Sequence, residues 1–122
     1  MKENTFGYLS QEVIDYTFGK NNWGVSFLAS KSLPNSVRNV YSQTYKIQKN
    51  LFPTGAIAEG PGDINGHLSN VKWFSLSQKA FENEKFNTQK VVFYDDDTDF
   101  QTMETTICGI ADGIFLLSLI SK

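Results

Sequence analysis

Sulfur and imidazole are nearly absent from this 122-residue chain. One cysteine, Cys108, excludes an internal disulfide and a cysteine-cluster zinc site. One histidine, His67, excludes a two-histidine motif. A charge excess is also lacking: 11 Lys and Arg stand against 13 Asp and Glu, a net charge of -2. A chain that grips phosphate backbones carries a basic surplus, so nucleic acid is not an expected partner. Arg38, Lys46 and Lys49 are too scattered to make a basic patch. Long apolar runs are missing too. The strongest, Ile107 to Ile120, is interrupted by Gly109, Asp112, Gly113 and Ser118. It is too short to span a bilayer, so no membrane is expected and a helix buried in a soluble protein is. Met1 to Lys20 holds Lys2, Glu3, Asn4, Glu12 and Asp15 and lacks the apolar stretch of a secretory signal.

What is present is a globular composition, 40% hydrophobic and 20% charged, which argues against disorder. The length suits one domain. Phe6, Leu9, Val13 and Tyr16 recur at helical spacing, predicting an amphipathic helix over Thr5 to Phe18. Asn4 or Thr5 can cap its start, and Gly19 suits its left-handed end. Asn21, Asn22 and Gly24 make a turn around Trp23. Val25 to Ala29 is too short to assign. Pro34-Asn35-Ser36 opens another turn or a short helix. Five glycine or proline residues between Gly55 and Gly66 predict a loop. Val71, Phe74 and Leu76 fit the face of a short helix. Thr98 and Gln101 have capping-box spacing, predicting one helix from there to about Leu119. Gly109 and Gly113 inside it point to close approach of a neighbouring helix. So much loop is out of keeping with a tidy small bundle. The reading is a piece of a larger helical protein.

Carboxylates are the main chemical candidates. Asp95, Asp96, Asp97, Asp99 and Glu104 lie close together. Acids at a helix start complement the helix dipole, which is the purely structural explanation. A calcium loop is a poorer one, because the EF-hand ligand order and central glycine are absent. The functional explanation is general acid catalysis by Glu104. Phe93, Tyr94 and Phe100 surround the acidic turn, and apolar rings beside a carboxyl favour its protonated form. Cys108 reads as a small buried hydrophobe. His67 reads as a surface residue. Gly60-Pro61-Gly62-Asp63 lacks the Lys-Ser/Thr of a phosphate loop.

Taken together these segments resemble the C-terminal part of the catalytic domain of glycoside hydrolase family nine, the endoglucanases. The family's acid signature runs aromatic, any, Asp, four residues, aromatic, three residues, Glu, any, small, three residues, Asn, small. Here Phe93, Asp95, Phe100, Glu104, Thr106 and Ala111 fit it, and Ile110 replaces the Asn. Asp15-Tyr16, Gly19 and the run Asn21 to Phe27 look like the family's DYxLGxNPxGxSY segment. Gly55 to Pro61 looks like its GxLVGGP loop.

That resemblance implies an all-α fold, the C-terminal portion of an (α/α)6 helical barrel with long loops. Residues 1–122 would be a single partial domain, with the remainder of the catalytic domain upstream. It implies inverting hydrolysis of β-linked glucans or related polysaccharides, with no cofactor and no metal held by this chain. Glu104 would protonate the leaving oxygen and Asp95 would support it. Inversion needs a second carboxylate roughly 6.5–9.5 Å away to activate water. The family's Asp-Ala-Gly-Asp type motif that supplies it has no counterpart here. Nor has its His-His-Arg signature, so Arg38, Tyr41 or Gln43 would hold the sugar, with Trp23 and Tyr94 as aromatic platforms. The resemblance also implies a secreted or periplasmic enzyme. The rival reading is a non-catalytic helical module that binds glycans or a protein; a fragment without function is the third. If the barrel is incomplete, Phe6, Val13, Ile110, Ile114 and Leu117 lack partners, and the isolated chain is expected to be marginally stable or self-associating.

Overall fold

A computed structural model describes residues 3–42, 48, 51–66 and 86–120. The described elements are helix α1 (Glu3–Thr17), strand β1 (Gly62–Asp63), strand β2 (Val91–Val92), helix α2 (Phe100–Met103) and helix α3 (Ile107–Ile120). Strands β1 and β2 pair antiparallel, Gly62 opposite Val92 and Asp63 opposite Val91. An all-α description therefore misses a small sheet, part of which lies in the glycine-rich stretch expected to be loop. His67, Gln43 and the segment of Val71, Phe74 and Leu76 lie outside the described residues.

Helix α1 ends as its sequence predicts. Gly19 has φ 112°. The Lys20 amide reaches the Asp15 carbonyl at 2.7 Å and the Gly19 amide reaches Tyr16 at 3.3 Å. Those two bonds are a Schellman closure, which glycine permits at no steric cost. The start differs: Asn4 and Thr5 lie inside the helix rather than capping it. Its apolar stripe is largely open, as expected for Val13 of an incomplete barrel. Val13 is 54% exposed, Leu9 and Tyr16 are exposed too, and Ile14 is the buried residue.

The predicted helix from Thr98 to Leu119 is two helices. Asp99, not Thr98, caps α2, its carboxylate accepting from the Gln101 amide at 3.2 Å. Thr98 instead closes a turn on Asp96. Glu104 then turns extended, with φ -62° and ψ 141°. Thr106 restarts the helix, its hydroxyl accepting from the Gly109 amide at 3.1 Å. Nothing local forces this break. Amides from distant segments claim the carbonyls of Thr102, Met103 and Glu104 and hold the backbone open. Nor is α3 buried on every side. Ile107 is 87% exposed, Ile114 65% and Phe115 66%. Cys108, expected to be buried, is exposed on the same helix. A Cβ on Gly113 would collide with Ile57 of the glycine-rich loop, so that glycine admits a loop side chain rather than a helix.

The core sits among the irregular segments. Phe27, Ala29, Val37, Val40, Ala56, Ala58, Phe93 and Met103 form it, with Ile110 of α3 packed against it. Phe27 and Phe93 meet at 5.2 Å in a tilted pair, and Trp23 adds an edge to Phe93 at 6.1 Å. Such aromatic contacts add about 0.5–1.5 kcal/mol each beyond the area they bury. Residues 26–29 run extended between two neighbours. Ser26 bridges Ser36 in parallel and Leu28 bridges Ile57 antiparallel. Thus the unassigned run Val25 to Ala29 is the central thread of the core.

Candidate active site

Two carboxylates dominate the site, and one strip of backbone ties them together. Asp95 follows the buried Tyr94 and faces residues 38 and 39. Its Oδ2 accepts from the Arg38 amide at 2.9 Å, and its Oδ1 from the Asn39 amide at 2.7 Å. The Asn39 side-chain amide returns a bond to the Asp95 carbonyl at 3.0 Å. Two residues further on, the Tyr41 amide donates to the Met103 carbonyl at 2.8 Å, one position before Glu104. The strip 38–41 therefore runs from Asp95 to the edge of Glu104.

The glycine-rich loop closes the other side. The Glu59 amide donates to the Glu104 carbonyl at 3.0 Å, and the Gly60 amide to Thr102 at 2.9 Å. Gly60 has φ 86°, and a side chain there would press on the Phe27 ring at 3.3 Å. This is why the loop needs glycine at that point. Glu104 is thus pinned by its own carbonyl and by both preceding ones. Its side chain is half-buried, and no hydrogen bond or ion pair to its carboxylate is found among the described residues. An immobile backbone with an uncommitted carboxyl is what a proton donor needs: a fixed position and a free oxygen.

Burial pushes the Asp95 carboxyl above its ordinary range, and the amides of Asn39 and Arg38 oppose the rise. Asp99 has a different task. It is fully buried, caps α2 and takes the Thr102 hydroxyl at 2.7 Å. Among the described residues no group of His, Cys, Asp and Glu could hold a metal ion.

Of the expected sugar contacts, Arg38 and Tyr41 share the strip with both carboxylates. The Arg38 guanidinium donates to the Ser30 carbonyl at 2.8 Å and the Leu33 carbonyl at 2.7 Å. The Tyr41 ring tilts against Phe100 at 6.1 Å. Trp23 stands apart, its indole N–H spent on Asn87 at 3.0 Å. Tyr94 is 5% exposed and part of the core. Gln43 is outside the described residues. One architect escaped the sequence reading, and another was read only as a turn residue. Asn39 holds Asp95 from both sides. Asn21 fixes the turn after α1, donating to the carbonyls of Tyr16 and Val25 and accepting from the amides of Trp23 and Val25. Its position between Gly19 and Gly24 is the only local hint, since a turn asparagine can bond its own backbone.

Residues 1–117 match the sequence model of glycosyl hydrolase family 9. The chain belongs to glycosyl hydrolase family 9. No curated protein matches it, and no solved structure does. Membership in family 9 makes it a glycosyl hydrolase in kind, with a carbohydrate substrate. The family implies an (α/α)6 barrel, and the described part has helices with one small sheet. Among the described residues no helix is long and apolar enough to cross a membrane.

Proposed function

We propose that this chain is the C-terminal part of a family 9 catalytic domain and supplies the general acid, Glu104. The observation that supports this most is the pinned break at Glu104, which leaves the carboxyl uncommitted beside Asp95's strip. In this reading Glu104 protonates the leaving glycosidic oxygen. Asp95 holds the strip 38–41 in register and adds a second negative charge. A base from elsewhere in the intact domain, roughly 6.5–9.5 Å from the acid, activates water, and the configuration inverts. The substrate is a β-linked glucan or a related polysaccharide, met by the enzyme in a secreted or periplasmic setting. Among the proposed contacts Trp23, Arg38, Tyr41, Gln43 and Tyr94, Arg38 has the most supportive placement, since its backbone touches Asp95.

The test is Glu104→Gln in the complete catalytic domain. Turnover should fall roughly 10²–10⁴-fold, the usual worth of a positioned proton donor. The melting profile should hold, because the fixed contacts of Glu104 are backbone ones. Near-normal turnover on its best glycan would remove Glu104 from the mechanism.

A further inference from the structure

We infer that Asn39 is a positioning residue for the hydrolysis, locking the strip 38–41 to Asp95 and thereby fixing the place of Glu104. The inference rests on the hydrolase reading, with Glu104 as its acid, and adds a residue that lies outside the acid signature. Asn39 clasps one partner at both ends. Its backbone amide donates to Asp95 Oδ1 at 2.7 Å, and its side-chain Nδ2 donates to the Asp95 carbonyl at 3.0 Å. The Arg38 amide adds a bond to Oδ2 at 2.9 Å, but a backbone N–H is common to every residue except proline. The Asn39 side chain is therefore the sequence-specific part of the clasp.

The clasp belongs to a closed ring. From Asn39 the chain passes through Val40, which is buried, to Tyr41. The Tyr41 amide donates to the Met103 carbonyl at 2.8 Å, and Tyr41 bridges Glu104 in parallel register. From Glu104 the backbone returns to Thr102, whose hydroxyl accepts from the Tyr94 amide at 3.3 Å. Tyr94 leads directly into Asp95, where the ring closes. Every link is short. Two peptide units separate Asn39 from Tyr41, so their Cα atoms stay within about 7 Å of each other. A shift at Asn39 therefore reaches Tyr41 and the peptide between Met103 and Glu104 rather than dissipating in slack chain. Val40, Tyr94, Thr102 and Met103 are buried, and truncating any of them would open the core. Asn39 is exposed, so it is the link that can be cut without leaving a cavity. What is lost on cutting it is registration. A misplacement of about 1 Å at the reacting centre costs roughly 10²-fold in rate. Binding of the ground state depends less on that one distance, so the loss should fall on kcat.

The test is kinetics on the complete catalytic domain. Asn39→Ala should lower kcat roughly 10–100-fold and leave KM within about twofold. In a Glu104→Gln background the same substitution should cost almost nothing more, because no acid is left to misplace. On an aryl glycoside whose leaving group departs without a proton, Asn39→Ala should turn over at a near-native rate. A residue that only supported the fold would slow both substrates and both backgrounds alike. Asn39→Asp keeps the side-chain shape and the backbone amide but has no N–H for the Asp95 carbonyl. It should show the same pattern, and it carries the test if Asn39→Ala does not fold. Native kcat in both variants with Glu104→Gln inactive would overturn the inference and spare the acid. Equal losses in the two backgrounds, or an equal loss on the aryl glycoside, would also overturn it. Near-normal turnover in Glu104→Gln would remove the acid, and the positioning role with it.

Discussion

Helices α1 and α3 are the most regular parts of this molecule, and the irregular segments between them are the best buried. On α1 the periodic residues Leu9, Val13 and Tyr16 face outward, and on α3 Ile107, Ile114 and Phe115 do the same. Phe27, Val37, Phe93 and Met103, none of them in a long helix, are almost wholly enclosed. Regularity and burial are usually coupled, because a helix gains most of its stability from packing its apolar face. Here they are separated. The loops form a self-sufficient web around the carboxylates, while the helices carry apolar faces with no cover among the described residues. The two regions should therefore answer differently to the same kind of substitution.

The largest difference should come from Phe93→Ala. Phe93 has no exposed surface and touches both Phe27 and Trp23. Losing such a ring costs about 3–5 kcal/mol, enough to unfold a marginal chain. Chemical denaturation should show no folded baseline. A folded variant with a near-native midpoint would mean that the loop web is not the core. Asn21→Ala should come next. It removes a side chain that serves two carbonyls and two amides, and leaving such groups unpaired costs about 1–3 kcal/mol. The amides of Trp23 and Val25 should lose their protection from hydrogen exchange, and unchanged protection would assign the turn to Gly19 and Gly24 alone.

On the helix side, Ile114→Glu should change stability by no more than about 0.5 kcal/mol, as exposed substitutions do. It should also reduce self-association in sedimentation experiments, since an open apolar face is what drives it. A cost comparable to that of Phe93→Ala would show that the α3 face is packed in solution and would break the comparison.

The sequence was most legible where the physics is local. The end of α1 follows from Gly19. The resemblance of Phe93 to Ala111 to the family's acid signature made Glu104 and Asp95 candidates. It failed where partners are far apart in the chain. Helical periodicity carried the reading straight through Glu104. The break depends on amides of Tyr41, Glu59 and Gly60, which no window around Glu104 contains. The same distance hid Asn39, which holds Asp95 from 56 residues away. Periodicity also says which face of a helix is apolar, but not whether anything covers it. That is why Cys108 was expected inside.

The finest test concerns Asp95, where the loop web meets the chemistry. Burial raises its carboxyl above the ordinary value of 3.8, although three hydrogen bonds from Arg38 and Asn39 pull the other way. An acid raised on folding holds its proton more tightly in the folded state. Its contribution to stability is therefore fully present below 3.8 and is lost as pH rises through the higher folded value. At neutral pH the ionised Asp95 is a cost, accepted in exchange for fixing the strip 38–41 beside Glu104. The Asp95 carboxyl carbon should titrate above 3.8 in the folded chain. Asp95→Asn should remove that pH dependence and loosen the Arg38 and Asn39 amides, because one amide oxygen cannot serve both as the carboxylate does. A midpoint at or below 3.8 would show that the amides outweigh burial. The latch would then stabilise the web outright, and the contrast between a self-sufficient loop core and its uncovered helices would be sharper still.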